Sequence, residues 1–190
     1  MTADTNPNAA TTSPRGVCIF FTGLSGSGKT TLASALDARI RAETARATTL
    51  LDGDIIRTHL SSELGFSREH RDLNIQRIGF VASEVVKHGG FVIVSAIAPF
   101  DGARKSARGL VEPLGRFYLV HLATPLNVCE ARDVKGLYAK ARAGLLAGFT
   151  GVSDPYEAPA DADLTIDTSA MYPSEAVAQI VDRMRIDGAI

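Results

Sequence analysis

The sequence predicts an α/β fold in three layers, a five-stranded, mostly parallel sheet covered by helices on both faces. Three observations predict it. Five short apolar runs recur along the chain, several of them continuous rather than alternating, as expected of strands buried on both sides. Segments of helical period separate them, the order that builds parallel sheets. A glycine-rich turn joins the first run to the helix after it. At 190 residues the chain suffices for one full hydrophobic core, and it shows neither an internal repeat nor a second domain.

The elements follow in order. Residues 1–14, "MTADTNPNAATTSP", are small, polar and proline-punctuated. They lack the apolar centre of a secretory signal and the Arg-rich pattern of a transit peptide, so they read as a disordered tail before a domain at 15–190. The strands are expected at "GVCIFFT" (16–22), "TTLL" (48–51), "FVIVSA" (91–96), "FYLVHLA" (117–123) and "LTID" (164–167). Ile75, Ile78, Ala82, Val85 and Val86 repeat at helical spacing until "HGG" stops them. Val177, Ile180, Val181 and Met184 form a last helical stripe, with Ser174 as its expected N-cap. The stretch from about 133 to 163 is rich in Gly, Lys, Arg, Asp and Pro and has no strand pattern. A connection that long inside a compact domain points to a lid.

Composition excludes several classes. The chain is 45% hydrophobic and 22% charged, with net charge -1. That balance argues against a nucleic-acid partner, which needs excess Lys and Arg. No apolar run approaches the roughly 20 residues that cross a bilayer, so a cytoplasmic protein is expected. Cys18 and Cys129 lie in apolar segments without ligand-like neighbours, as buried free thiols do in a reducing compartment.

The glycine-rich turn carries the first chemistry. Gly23-Leu24-Ser25-Gly26-Ser27-Gly28-Lys29-Thr30, followed by Thr31, fits G-x-x-x-x-G-K-[ST] with a strand before and a helix after. Glycines let successive backbone N–H groups turn inward around phosphate oxygens, and the helix aims its positive end at them. Lys29 reaches the β- and γ-phosphates in such loops, and the Thr30 hydroxyl ligates Mg²⁺. The expectation is a P-loop nucleoside-triphosphatase fold. An N-K-x-D motif, which would read guanine, is absent from the sequence. "DVKG" (133–136) has a switch-like spacing but follows a helical stretch.

The second strand ends in Asp52 and Asp54, at the sheet edge where open α/β folds bind ligands. Two carboxylates two apart on an extended segment point the same way. One is expected to hold a metal-bound water or take a proton from a hydroxyl, and one to cap a helix starting at Ile55. Arg57, Phe66, Arg71 and Asn74 follow closely. An aromatic, two guanidiniums and an amide suit a flat, anionic ligand. "KGLYAKARAG" adds Lys135, Lys140 and Arg142, and "GFTG" adds Phe149. These residues alone point to a phosphotransferase for an anionic small molecule.

Taken together, "GLSGSGKTT", "LDGD-IR", "LGFS-R--N--RIG", "KGLY-KARAG", "GFTG" and "DPYEAP" resemble adenylylsulfate kinase, from Gly16 onward. That family phosphorylates adenosine 5′-phosphosulfate at its 3′-hydroxyl. The resemblance implies ATP in the loop with Mg²⁺ on Thr30 and, through water, on Asp54, which also meets the attacking hydroxyl. It implies Arg57, Arg71 and Asn74 on the phosphosulfate and ribose, Phe66 and Phe149 around the acceptor's adenine, and the Ile97 backbone against the acceptor. Lys135 would approach the transferring phosphoryl group and Arg132 the adenine of ATP. A homodimer and association with ATP sulfurylase are implied as well.

Three departures stand out. Ile55 replaces the asparagine of the common "DGDN", Val134 the proline of "DPKG", and Ala98 a serine proposed to carry phosphate in some members. Alanine has no nucleophile, so transfer here should be direct. Two rival readings are a kinase of the same fold for another hydroxyl and a non-catalytic nucleotide-binding regulator of a sulfate-activating partner.

Overall fold

The computed structural model describes residues 15–190; the tail expected at 1–14 lies outside them. Five strands form one sheet in the order β2-β3-β1-β4-β5. They are β1 (Val17–Gly23), β2 (Thr48–Asp52), β3 (Phe91–Ser95), β4 (Arg116–Leu122) and β5 (Leu164–Ile166). Every pairing is parallel. All five apolar runs therefore became strands, with ends shifted by at most one residue.

Among the described residues six helices lie between the strands and a seventh follows the last: α1 (Lys29–Thr44), α2 (Gly53–His59), α3 (Arg68–Lys87), α4 (Asp101–Val111), α5 (Leu126–Arg132), α6 (Leu137–Arg142) and α7 (Pro173–Ile186). Alternation along β1 separates the layers. Val17, Ile19 and Phe21 pack against Leu32, Leu36 and Ile40 of α1 and Val177 and Ile180 of α7. Cys18 and Phe20 pack on the other face with Ile75 and Ile78 of α3 and Ala107 and Val111 of α4. Burial of each such large side chain contributes roughly 1.5–3 kcal/mol. Both cysteines are buried and free. Among the described residues, no helix is long and apolar enough to cross a membrane.

The faces fix where a ligand can sit. The helix after β1 lies on one side of the sheet and the helix after β3 on the other, although the two strands are neighbours. Their diverging connections open a crevice beyond the carboxyl ends of the strands, the usual binding position of such sheets.

Three expectations are corrected. Ser174 lies inside α7; Tyr172 holds the N-cap position and Pro173 the first turn. Proline fits there because its missing N–H would have no helical partner, and Glu175 accepts from the Tyr172 N–H at 2.8 Å. Helix α2 starts at Gly53, not Ile55, because the Asp52 side chain accepts from the Asp54 N–H at 3.0 Å. Asp52 and Asp54 therefore do not share an extended segment, and their side chains diverge.

Candidate active site

The loop between β1 and α1 is shaped by its glycines. Gly26 and Gly28 have φ of 75° and 97°, a left-handed backbone that other residues adopt only with strain. A Cβ on Gly26 would also lie 2.9 Å from the Cys129 carbonyl oxygen. Lys29, buried beneath the loop, donates to the carbonyls of Gly23 (3.0 Å) and Leu24 (2.7 Å). Burial pulls its amine down to about 8, with the charges of Asp52 and Asp54 acting against the fall. The buried Ser27 hydroxyl has no partner.

Beside the loop, the Thr30 hydroxyl donates to Asp52 Oδ2 at 3.0 Å and lies 3.4 Å from the Ser95 hydroxyl. Asp52 is buried. The carboxylate on the Thr30 side is thus Asp52, while Asp54 reaches outward to an ion pair with Lys135. The oxygen-only set of Thr30, Asp52 and Ser95 suits a hard cation such as Mg²⁺. Among the described residues, no group of three or more His, Cys, Asp or Glu could hold a metal alone.

Across the crevice lies a cavity of about 490 Å³, walled by Phe66, Arg68, Phe100, Gly148, Asp154 and Pro155. Ligand pockets of this size take small molecules. Phe66 is 60% exposed and carries the Arg57 guanidinium 4.6 Å above its ring centre. Arg57 donates to the carbonyls of Leu64 and Gly65. Arg71 is buried; it donates to the Phe66 carbonyl at 2.8 Å, to Gly148 and to Thr150, and lies 3.6 Å from Asp154. The buried side-chain oxygen of Asn74 has no partner. Phe149 differs from the expected adenine sandwich. Its ring is turned into a small apolar cluster, edge-on to Tyr138 with centres 5.0 Å apart, while its neighbour Gly148 faces the cavity.

The stretch expected as a lid contains α6 and is tied to both sides. Tyr138 donates to the Ser25 carbonyl of the phosphate loop at 2.9 Å. Arg132 donates to Gly26 at 3.1 Å and to both oxygens of Thr168 at 2.9 Å. Lys140 is exposed and Arg142 pairs with Glu130, so that basic run is a solvated face. The Ile97 carbonyl accepts from Thr22 Oγ1 at 2.6 Å and from the Gly23 N–H at 3.4 Å. Ile55 and Val134, two of the departures, are both exposed, Val134 at 85%. Ser95, Thr168 and Arg68 carry no local sequence signal for binding, and the sequence leaves open which of Asp52 and Asp54 serves the metal side.

A parallel sheet with a G-x-x-x-x-G-K-T loop between its central strand and the following helix defines a P-loop nucleotide-binding protein. The chain belongs to the adenylylsulphate kinase family, whose model matches residues 15–167. The APS kinase CysC of Mycobacterium tuberculosis, solved in complex with AMPPNP and APS, is 39% identical, covers 90% of this chain and 99% of its own, and superposes with a TM-score of 0.86. The hexameric APS kinase from Thiobacillus denitrificans is 42% identical over 94% of this chain and 30% of its own, with a TM-score of 0.73. A sulfate adenylyltransferase of Phaeosphaeria nodorum is 51% identical over 176 residues, 93% of this chain. This chain spans only 31% of that relative's length.

Proposed function

We propose that this chain transfers the γ-phosphoryl group of ATP to the 3′-hydroxyl of adenosine 5′-phosphosulfate, releasing ADP and 3′-phosphoadenosine 5′-phosphosulfate. The observation that carries the reading is the meeting of Asp54 with Lys135 beside the Thr30–Asp52 pair. Both charges lie close enough to Lys29 to act on its amine. Family membership supports it, as does the likeness to an APS kinase bound to AMPPNP and APS.

Phosphoryl transfer asks little covalent chemistry of the protein; positioning and charge neutralisation dominate. The O3′–Pγ bond forms as the bond from Pγ to the β,γ-bridging oxygen breaks. Asp54 orients the 3′-hydroxyl and receives its proton. Lys29 and Lys135 offset charge on the transferring group. Mg²⁺ would be held by Thr30, with Asp54 and Asp52 acting through water, and supplies Lewis-acid stabilisation of the phosphate oxygens when bound. Arg57, Arg71 and Asn74 hold the phosphosulfate and ribose, and Phe66 stacks on the adenine. Phe149 would complete the sandwich only by turning from Tyr138. Gly23 to Thr31 bind the ATP phosphates, with Arg132 near its base. Ala98 offers no phosphate acceptor, so the transfer is direct.

The reading includes a 15–190 domain whose 133–163 segment closes over the substrates, a homodimer, and work beside an ATP sulfurylase that supplies the acceptor. A coupled ADP-release assay with Mg-ATP, with and without adenylylsulfate, tests the reaction. ADP release that requires adenylylsulfate, with the 3′-phosphorylated product, is the expected result. ATP binding without turnover would make the chain a regulator instead, and turnover only on another alcohol would replace the acceptor.

A further inference from the structure

A largely buried polar network behind the site runs through the side chains of Thr22, Arg104, Tyr156 and Glu157, which none of these roles uses. Tyr156 hydroxyl and Thr22 Oγ1 lie 2.9 Å apart. Thr22 gives its proton to the Ile97 carbonyl at 2.6 Å, so Tyr156 is the donor to Thr22. Thr22 directly precedes Gly23, the first residue of the phosphate loop. Ala98, next to Ile97, has a φ of 44°, a strained backbone for a non-glycine residue that persists only where its surroundings impose it.

Arg104 and Glu157 supply those surroundings. Arg104, on α4, is 2% exposed and is among the largest fully buried side chains. It donates to the Ala98 carbonyl at 2.8 Å and to the Glu157 carbonyl at 2.7 Å. Glu157 in turn donates its N–H to Pro99 at 2.8 Å and accepts the Asp101 N–H on Oε2 at 2.7 Å. Its other oxygen lies 3.4 Å from Arg68, whose guanidinium sits 4.2 Å above Phe100. Arg68 and Phe100 are walls of the cavity. One face of the network therefore touches the phosphate loop and the other the acceptor cavity.

We propose that Tyr156 is a positioning residue, the strut that sets the distance between the phosphate loop and the acceptor wall through Thr22 and Ile97. This rests on the phosphotransfer reading above. A bond of this kind holds the two substrates in register for in-line transfer, where small displacements are costly in rate. The ring of Tyr156 stacks on His121 with centres 5.8 Å apart, so Tyr156→Phe keeps the ring packing and removes only the hydroxyl.

Tyr156→Phe is expected to lower kcat about tenfold, which is about 1.4 kcal/mol of transition-state stabilisation, with KM for ATP unchanged. Thr22→Val removes the same bond from the other side and is expected to cost at least as much. The double variant should be no slower than the slower single variant, since both break one interaction. Rates are taken per folded molecule, with a melting curve for each protein. An unchanged kcat alongside a lower Tm would reduce Tyr156 to a structural bolt, and losses that multiply would separate it from Thr22. If Tyr156→Phe fails to fold, Thr22→Val alone decides: wild-type kcat overturns the proposal. Wild-type protein inert towards adenylylsulfate would instead overturn the functional reading beneath it.

Discussion

The nucleotide side and the acceptor side of the crevice are built differently. The phosphate loop is a run of eight consecutive residues, Gly23–Thr30, shaped by its own backbone and underpinned by buried Lys29. The acceptor side is gathered from distant parts of the chain. Arg71 reaches Gly148 and Thr150, and Asp54 reaches Lys135 through side chains 72% and 58% exposed. Such exposed pairs are worth at most about 1 kcal/mol. The nucleotide side is thus set by folding itself. On the acceptor side the exposed Asp54–Lys135 contact is weak enough for a ligand to rearrange, while buried Arg71 is held by several acceptors.

Four experiments bear on that contrast, in order of expected effect. Asp54→Asn should lower kcat by about 10²–10³-fold, the usual cost of losing one group that acts on the developing charge. Steady-state kinetics would read it, and near-normal turnover would remove Asp54 from the chemistry. Arg71→Ala should weaken adenylylsulfate binding by about tenfold to a hundredfold, since hydrogen bonds to charged groups carry about 1.5–3 kcal/mol. Calorimetry with each ligand should show ATP affinity nearly intact; equal losses would erase the distinction between the two sides.

The third experiment uses pH on the nucleotide side alone. With its amine lowered to about 8 by burial, Lys29 is a cation below that value and neutral above it. ATP affinity should hold up to about pH 8 and then fall, by roughly tenfold for the first full pH unit past it. A flat profile to pH 9.5 would mean that Lys29 stays charged. The smallest effect concerns His121. Burial, and then the Arg104 charge, lower its pKa from the ordinary 6.5. The unfolded chain therefore takes up the proton first, so stability is whole above about pH 6.5 and is lost as pH falls towards the folded value. Urea midpoints at pH 7.5 and 5.5 should differ, and His121→Gln should narrow the gap.

The same contrast governs how much of the molecule could be read from its sequence. The strands and the phosphate loop were legible because each is a local pattern, an apolar run or glycines at fixed spacing. The face of α4 was not. Its buried positions are Ala103, Arg104, Ala107 and Val111, three small or ordinary residues and an arginine that composition assigns to solvent. Arg104 is buried because carbonyls from two other segments receive it, which no local pattern reveals. The separation of Asp52 from Asp54 was hidden for a related reason. Whether a two-residue spacing means one face or two depends on where α2 begins, and a single cap decides that. Arg71, Phe66 and Asn74 were legible as residue types suited to an anion, but their present partners were not.

The position of β1 in the sheet also orders events during synthesis. Val17 pairs with Phe91 on one side and Arg116 on the other, so the strand made first is flanked only by strands made much later. At the usual rates of translation, "VCIFF" waits roughly 5–20 s for its second neighbour to leave the ribosome. Through that interval it is an unpaired apolar strand, the kind of segment that chaperones hold and that aggregates when they do not. The phosphate loop rides on the end of this strand. The part of the chain with the plainest chemical signature is therefore completed early and becomes competent late, once the C-terminal half has folded around it.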